Sequence, residues 1–169
     1  MKRITLPFLL ALTMVSAPVL AEEKSSADCE VPAGGAVVRA EIHNIRSAEG
    51  NLRAQIYSND KAEFLKKGKK LVRIEVPALE DDASMCVPLP APGRYALVIL
   101  HDRNANGKSD FFSEGFGFSN NPKLGLSAPD HEDVVFDAPP GETLVSIDLQ
   151  YMFGKDKEQT DKRRKLRRS

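Results

Sequence analysis

The sequence predicts an all-β fold, a seven-stranded antiparallel Greek-key sandwich. Three observations carry that prediction. Short segments in which apolar and polar residues alternate follow one another from residue 36 to residue 151. Clusters of Gly, Pro, Asn and Asp separate them, each cluster able to turn the chain. Helical spacing is nowhere sustained: "NDKAEFLKKGKK" offers one or two turns before Gly68 ends it. Short strands at this density fit two packed sheets better than any other arrangement of layers.

The elements follow in order. "AVVRAEIHNI" alternates and points Val38, Ala40, Ile42 and Ile45 inward. "SAEGN" turns the chain through Gly50 and Asn51, and "LRAQIYS" returns with Leu52, Ala54 and Ile56 on one face and Arg53, Gln55 and Tyr57 on the other. "KLVRIEVP" is a third strand with Val72, Ile74 and Val76 inward, and "ASMCVPLP" a fourth. "GRYALVILHD" is the most apolar run, as expected of a central strand covered on both faces. "EDVVFDA" and "TLVSIDLQYMF" complete the seven. "PAPGRY" and "DAPPGET" resemble the Pro-Gly turns that lead into strands of transthyretin-like and immunoglobulin-like modules, a likeness of fold that carries no function.

The ends set the domain plan. "MKRITLPFLLALTMVSAPVLA" has a positive head at Lys2 and Arg3, an apolar run and the small residues of a cleavage site. It reads as a secretory signal peptide over 1–21, and Pro18 interrupts it too early for a membrane span of roughly 20 residues. Residues 22–35 form a lead, 36–153 the sandwich and 154–169 a tail. The expected location is therefore the periplasm or the outside. In such a compartment the two cysteines, Cys29 and Cys86, are expected to pair.

Formal net charge is zero, but it is unevenly spread. The tail "GKDKEQTDKRRKLRRS" carries eight Lys or Arg against three Asp or Glu, a net +5. With Leu166 as its one large apolar residue it does not form a core of its own. Such a segment suits an anionic surface, either lipid headgroups or an acidic envelope polymer, or is simply solvated. Nucleic acid is a poor partner for an exported protein.

"HDRNANGKSD", residues 101–110, poses the sharpest question of site chemistry. Asp102, Asn104, Asn106 and Asp110 fall at alternate positions, Gly107 allows a sharp turn and the Lys108 carbonyl falls at the seventh place, as in the first half of a calcium loop. The second half differs: Ser113 stands at the twelfth position and Glu114 is one residue late, so this is not an EF-hand. It resembles the shorter DxNxNGxxD loops of exported calcium modules, for which affinity falls at roughly 0.1–1 mM. The same residues also make an ordinary polar turn, and both readings stand at this point. "FFSEGFGFSNNPK" follows, with Phe111, Phe112, Phe116 and Phe118. These rings either plug the end of the sandwich or line an apolar ligand groove rimmed by Asn120, Asn121 and Lys123, with Gly115 and Gly117 leaving the backbone mobile. No nucleophile elbow, phosphate loop or zinc spacing is present, and His43, His101 and His131 define no catalytic pattern.

The run "GRYALVILHDRNANGKSDFFSEGFGFSNN" resembles the signature of the bacterial family called domain of unknown function 2141. Its members share a strand ending in His-Asp, an Asn-x-Asn-Gly turn and a Gly-Phe-Ser-Asn-Asn segment. The likeness covers about residues 36–150 and implies export and fold, with no reaction attached. The function expected from all this is an exported, non-enzymatic binding module for a small ligand or envelope component, with calcium as the cofactor that orders the 102–110 loop. A periplasmic enzyme working through residues 101–133 and a structural envelope protein are the alternatives.

Overall fold

A computed structural model describes residues 29–110 and 113–152. The predicted signal peptide, the basic tail, Phe111 and Phe112 lie outside the described residues. The elements, in chain order, are β1 (Ala36–Ile45), β2 (Asn51–Ser58), β3 (Val72–Pro77), β4 (Asp81–Pro88), β5 (Gly93–Asp102), β6 (Gly115–Phe118), α1 (His131–Val134), β7 (Val135–Ala138), β8 (Gly141–Asp148) and β9 (Gln150–Tyr151). The all-β expectation holds. Two sheets form, one ordered β4-β1-β8 and the other β3-β2-β5-β6-β9, with β7 also on β5.

The structure corrects several details. Nine strands, not seven, are present among the described residues. The pairing is not wholly antiparallel: β1 pairs antiparallel with β4 but parallel with β8, from Ala36↔Gly141 to His43↔Asp148. A parallel pair needs a long crossover, and nearly the whole domain lies between these two strands. "NDKAEFLKKGKK" forms hydrogen-bonded turns rather than a helix, closed by bonds such as Phe64 N–H to the Asp60 carbonyl. "EDVVFDA" starts as the single turn α1 and becomes β7 only at Val135.

Alternation buries one face of each sheet between the two. Val38, Ala40 and Ile42 of β1, Leu52, Ala54 and Ile56 of β2, Leu97 and Ile99 of β5, and Ile147 of β8 belong to one core cluster. The other face of the larger sheet carries a second cluster, in which Tyr57, Ala96, Val98 and Phe118 pack with Phe64 and Val134. With apolar groups covered on both sides, β5 is buried from Tyr95 to Asp102, as its composition requires. Cys29 and Cys86 form a disulfide with Cα atoms 5.5 Å apart, tying the lead to β4. Closing a loop of 57 residues this way restricts the unfolded chain by about 4 kcal/mol. No described helix is long and apolar enough to cross a membrane.

Candidate functional site

The loop after β5 is organised by Asp102. This residue is fully buried, and its two oxygens accept hydrogen bonds from the backbone N–H groups of Asn106, at 3.1 Å, and Gly107, at 2.8 Å. Asn104 Oδ1 accepts from Asn106 N–H at 3.0 Å, and Asn106 Oδ1 accepts from Lys108 N–H at 2.7 Å. Successive Asx turns thus wind the segment. A guanidinium balances the buried charge. Arg53 of β2, 2 % exposed, donates from Nη2 to Asp102 Oδ2 at 2.6 Å and from Nε to Glu75 at 3.0 Å. One positive group thereby joins β2, β3 and the loop, a charge-assisted link stronger than a neutral hydrogen bond.

Asp110 enters this network through Glu114, whose Oε2 accepts from the Asp110 N–H at 2.7 Å. Glu114 is 1 % exposed; among the described residues its Oε1 receives no N–H or hydroxyl donor, and its carboxyl lies against that of Asp102, to which it can donate only when protonated. Burial pushes its carboxyl above the ordinary range, and the charges of Asp102 and Asp110 push the same way. Among the described residues no group of three or more His, Cys, Asp or Glu side chains gathers in a form able to hold a metal ion. The oxygens available around the turn are therefore mainly amide and carbonyl oxygens, supplemented by carboxylates. Asn104 Oδ1, Asn106 Oδ1 and Asp102 Oδ1 each keep a second lone pair, whereas Asp102 Oδ2 already accepts from both Arg53 and Gly107. Arg53 and Glu75 did not stand out in the sequence. Glu114 had a signal, an acid one position beyond the twelfth; Arg53 read only as an outward residue on an alternating strand.

Among the described residues, two surface grooves stand out. The larger, about 790 Å³, lies where Asn44, Asp82, Asn121, Lys123 and Gln150 meet at one end of the sandwich. Its lining is mixed, polar groups slightly outweighing apolar ones such as Ile45, Leu149 and Met152, and many of the polar groups are already engaged. Asp82 accepts from or pairs with His43 at 2.9 Å, Asn121 bonds the Ser146 carbonyl and the Asp148 N–H, and Gln150 bonds the Pro122 carbonyl and the Leu124 N–H. The smaller, about 310 Å³, sits on the outer face of the larger sheet. Its walls are Tyr57, Val98, Phe116, Phe118, Leu65 and Leu124, with Gln55, Lys70, Ser109 and Ser127 as polar points. An apolar cleft of this size with a few polar groups has the make-up of a small-molecule site.

Of the predicted groove residues, Phe116 and Phe118 line this cleft. The expected rim does not: Asn121 and Lys123 line the larger groove instead. Asn120 donates from its amide to the carbonyls of Asp133 and Val135. Ser119 bonds the Leu97 N–H and the Val134 carbonyl. The Ser-Asn-Asn segment thus fastens its own loop to β5, β7 and β8. Gly115 and Gly117 are not mobile points either, since both lie within β6. A Cβ at Gly117 would stand 2.4 Å from Ile147, and one at Gly115 2.5 Å from the Tyr151 ring, so each admits a close neighbour.

The histidines have separate partners. His101, wholly buried, places Nε2 2.8 Å from the Glu49 carbonyl and Nδ1 2.6 Å from the Tyr151 hydroxyl. A carbonyl only accepts, so Nε2 carries the proton and Nδ1 accepts from the hydroxyl. The Tyr151 oxygen in turn accepts from the Arg46 N–H at 3.2 Å. Burial pulls the His101 imidazole below its ordinary value and keeps it neutral in this chain of bonds. His131 packs edge-on against Phe64.

No curated protein and no solved structure matches the chain. The model of a bacterial family, described as "Uncharacterized protein conserved in bacteria (DUF2141)", matches residues 40–146, a span that takes in β1 to most of β8 and both the loop and the apolar groove. The chain belongs to the domain of unknown function 2141 family.

Proposed function

We propose that the protein is an exported, non-enzymatic binding module that takes a small, largely apolar molecule in the groove between Tyr57, Val98, Phe116, Phe118 and Leu124. One observation carries this reading. Aromatic and aliphatic walls enclose about 310 Å³ on a sheet face that is otherwise covered, while the larger groove has a mixed lining with many of its polar groups already bonded. The disulfide and the signal-like N-terminal sequence support export. Fluorescence of N-phenyl-1-naphthylamine, a neutral apolar probe, tests the reading. The unmutated protein should enhance it saturably. Ala128→Trp, an exposed lining position that the indole would fill, should weaken binding at least about tenfold, the scale of one lost apolar contact area. Its melting temperature should not change. No saturable enhancement, or equal binding by the variant, sinks the proposal.

A second reading adds calcium at the loop, held by Asp102, Asn104, Asn106, the Lys108 carbonyl and Asp110. The observation favouring it is the buried Glu114 carboxyl, set against the acidic side chains of Asp102 and Asp110. A divalent cation would relieve that arrangement. Ser109 belongs both to this loop and to the groove wall, so ordering the loop would also fix the ligand site.

A further inference from the structure

The groove has a charge of its own. Lys70 is the one charged side chain among the described residues that line it. Neighbouring Lys69 is held by Glu63 at 2.7 Å, whereas Lys70 has no ion-pair partner among the described residues. Its ammonium lies 5.7 Å from the Tyr57 ring centroid, over a ring that forms the groove wall. A second donor stands deeper. Gln55 is 6 % exposed and lines the same groove. Its Oε1 accepts from the Tyr57 hydroxyl at 3.3 Å, while its amide N–H groups have no partner among the described residues. That nitrogen keeps some exposure and can donate into the groove. With the Gln55 oxygen taken by Tyr57, what these two side chains offer a ligand is N–H, charged at Lys70 and neutral at Gln55.

A group that only accepts hydrogen bonds and carries negative charge matches that offer, and an ionised carboxylate is such a group. We propose that the ligand is an amphipathic monocarboxylate. Its hydrocarbon or aromatic body lies against Val98, Phe116, Phe118 and Leu124, and its carboxylate is received by Lys70 and the Gln55 amide. This rests on the groove being the binding site, and it adds the chemical class of the molecule bound there. A neutral apolar molecule would leave the Gln55 donor unsatisfied, and a cation would meet the Lys70 charge.

Isothermal titration with octanoate and octan-1-ol, two probes with the same chain and different heads, tests this at pH 7. Octanoate should bind the unmutated protein about tenfold more tightly than the alcohol, the scale of one charge-assisted hydrogen bond at a half-open site. Lys70→Met keeps the length and apolar stem of an exposed side chain and removes its charge. It should bring octanoate down to the alcohol's affinity and leave the alcohol unchanged, while Lys70→Arg should retain the preference. Equal affinity for the two heads in the unmutated protein, or a preference that survives Lys70→Met, overturns the carboxylate assignment. If neither molecule binds, the assignment also falls. N-phenyl-1-naphthylamine then separates the two ideas: saturable binding of that probe leaves the groove as a site, and its absence removes the groove as well.

Discussion

At Glu114 a carboxyl is buried beside other acids, with one oxygen bonded to the Asp110 N–H and the side chain set against Asp102. Burial and neighbouring negative charge both disfavour the ionised form. If a cation completes this loop, its binding energy goes first to relieving that group. Calcium at 5–10 mM, about tenfold above the weak end of extracellular affinities, should then stabilise the fold by about 1.4 kcal/mol through mass action. Magnesium should do much less, because it requires a tighter octahedron and releases water reluctantly. Glu114→Gln keeps an acceptor for the Asp110 N–H and removes the charge a cation would relieve, so it should fold and show a smaller calcium response. Thermal melts of both proteins check this. An unmutated protein indifferent to calcium would leave the stretch as a turn balanced by Arg53 alone. The contribution of Arg53 was hidden from the sequence because alternation on β2 places it opposite Leu52 and Ala54, on the face that reads as solvent-facing.

The strands were the most legible elements. Period-two alternation located β1, β2 and β5 nearly to the residue and β3 and β4 to within two, because one face of each packs on the same core and a shift of one residue would expose it. The outer face of the larger sheet was not legible. Arg53, Gln55 and Tyr57 are all buried there, at 2 %, 6 % and 2 % exposure: Phe64, Phe118 and Val134 pack with Tyr57, Gln55 lines the groove beside Phe118, and the 102–107 loop and Glu75 engage Arg53. Local alternation holds no record of such long-range cover. The β1–β2 turn shows how closely elements meet at the loop. Gly50 has φ +72°, and a Cβ on it would stand 2.0 Å from the Asp102 carbonyl oxygen. Gly50→Ala should therefore cost about 3 kcal/mol, from left-handed strain plus displaced backbone. Gly107→Ala, with φ +76° and open space around it, should cost only about 1 kcal/mol. Urea unfolding of the two variants measures the difference as separate midpoints with the same slope; equal midpoints would show that the β1–β2 turn does not pin the loop.

The molecule as a whole presents, among its described residues, two sheets, a disulfide from the lead to β4, and two grooves of different character. Phe116 and Phe118 drew attention in the sequence as a cluster of rings. Their partners Tyr57 and Val98 come from β2 and β5 and became visible only when those strands paired in register, with Ile56↔Leu97 and Tyr57↔Ala96. The groove's occupancy is thus the point on which the account turns. Amide chemical-shift mapping of the ¹⁵N-labelled protein during titration with N-phenyl-1-naphthylamine addresses it directly. Saturable shifts should concentrate at Gln55, Tyr57, Val98, Phe116 and Phe118, with Asn44, Asp82 and Gln150 unmoved. Shifts centred instead on Asn44, Asp82 and Gln150, or none at any position, would contradict it.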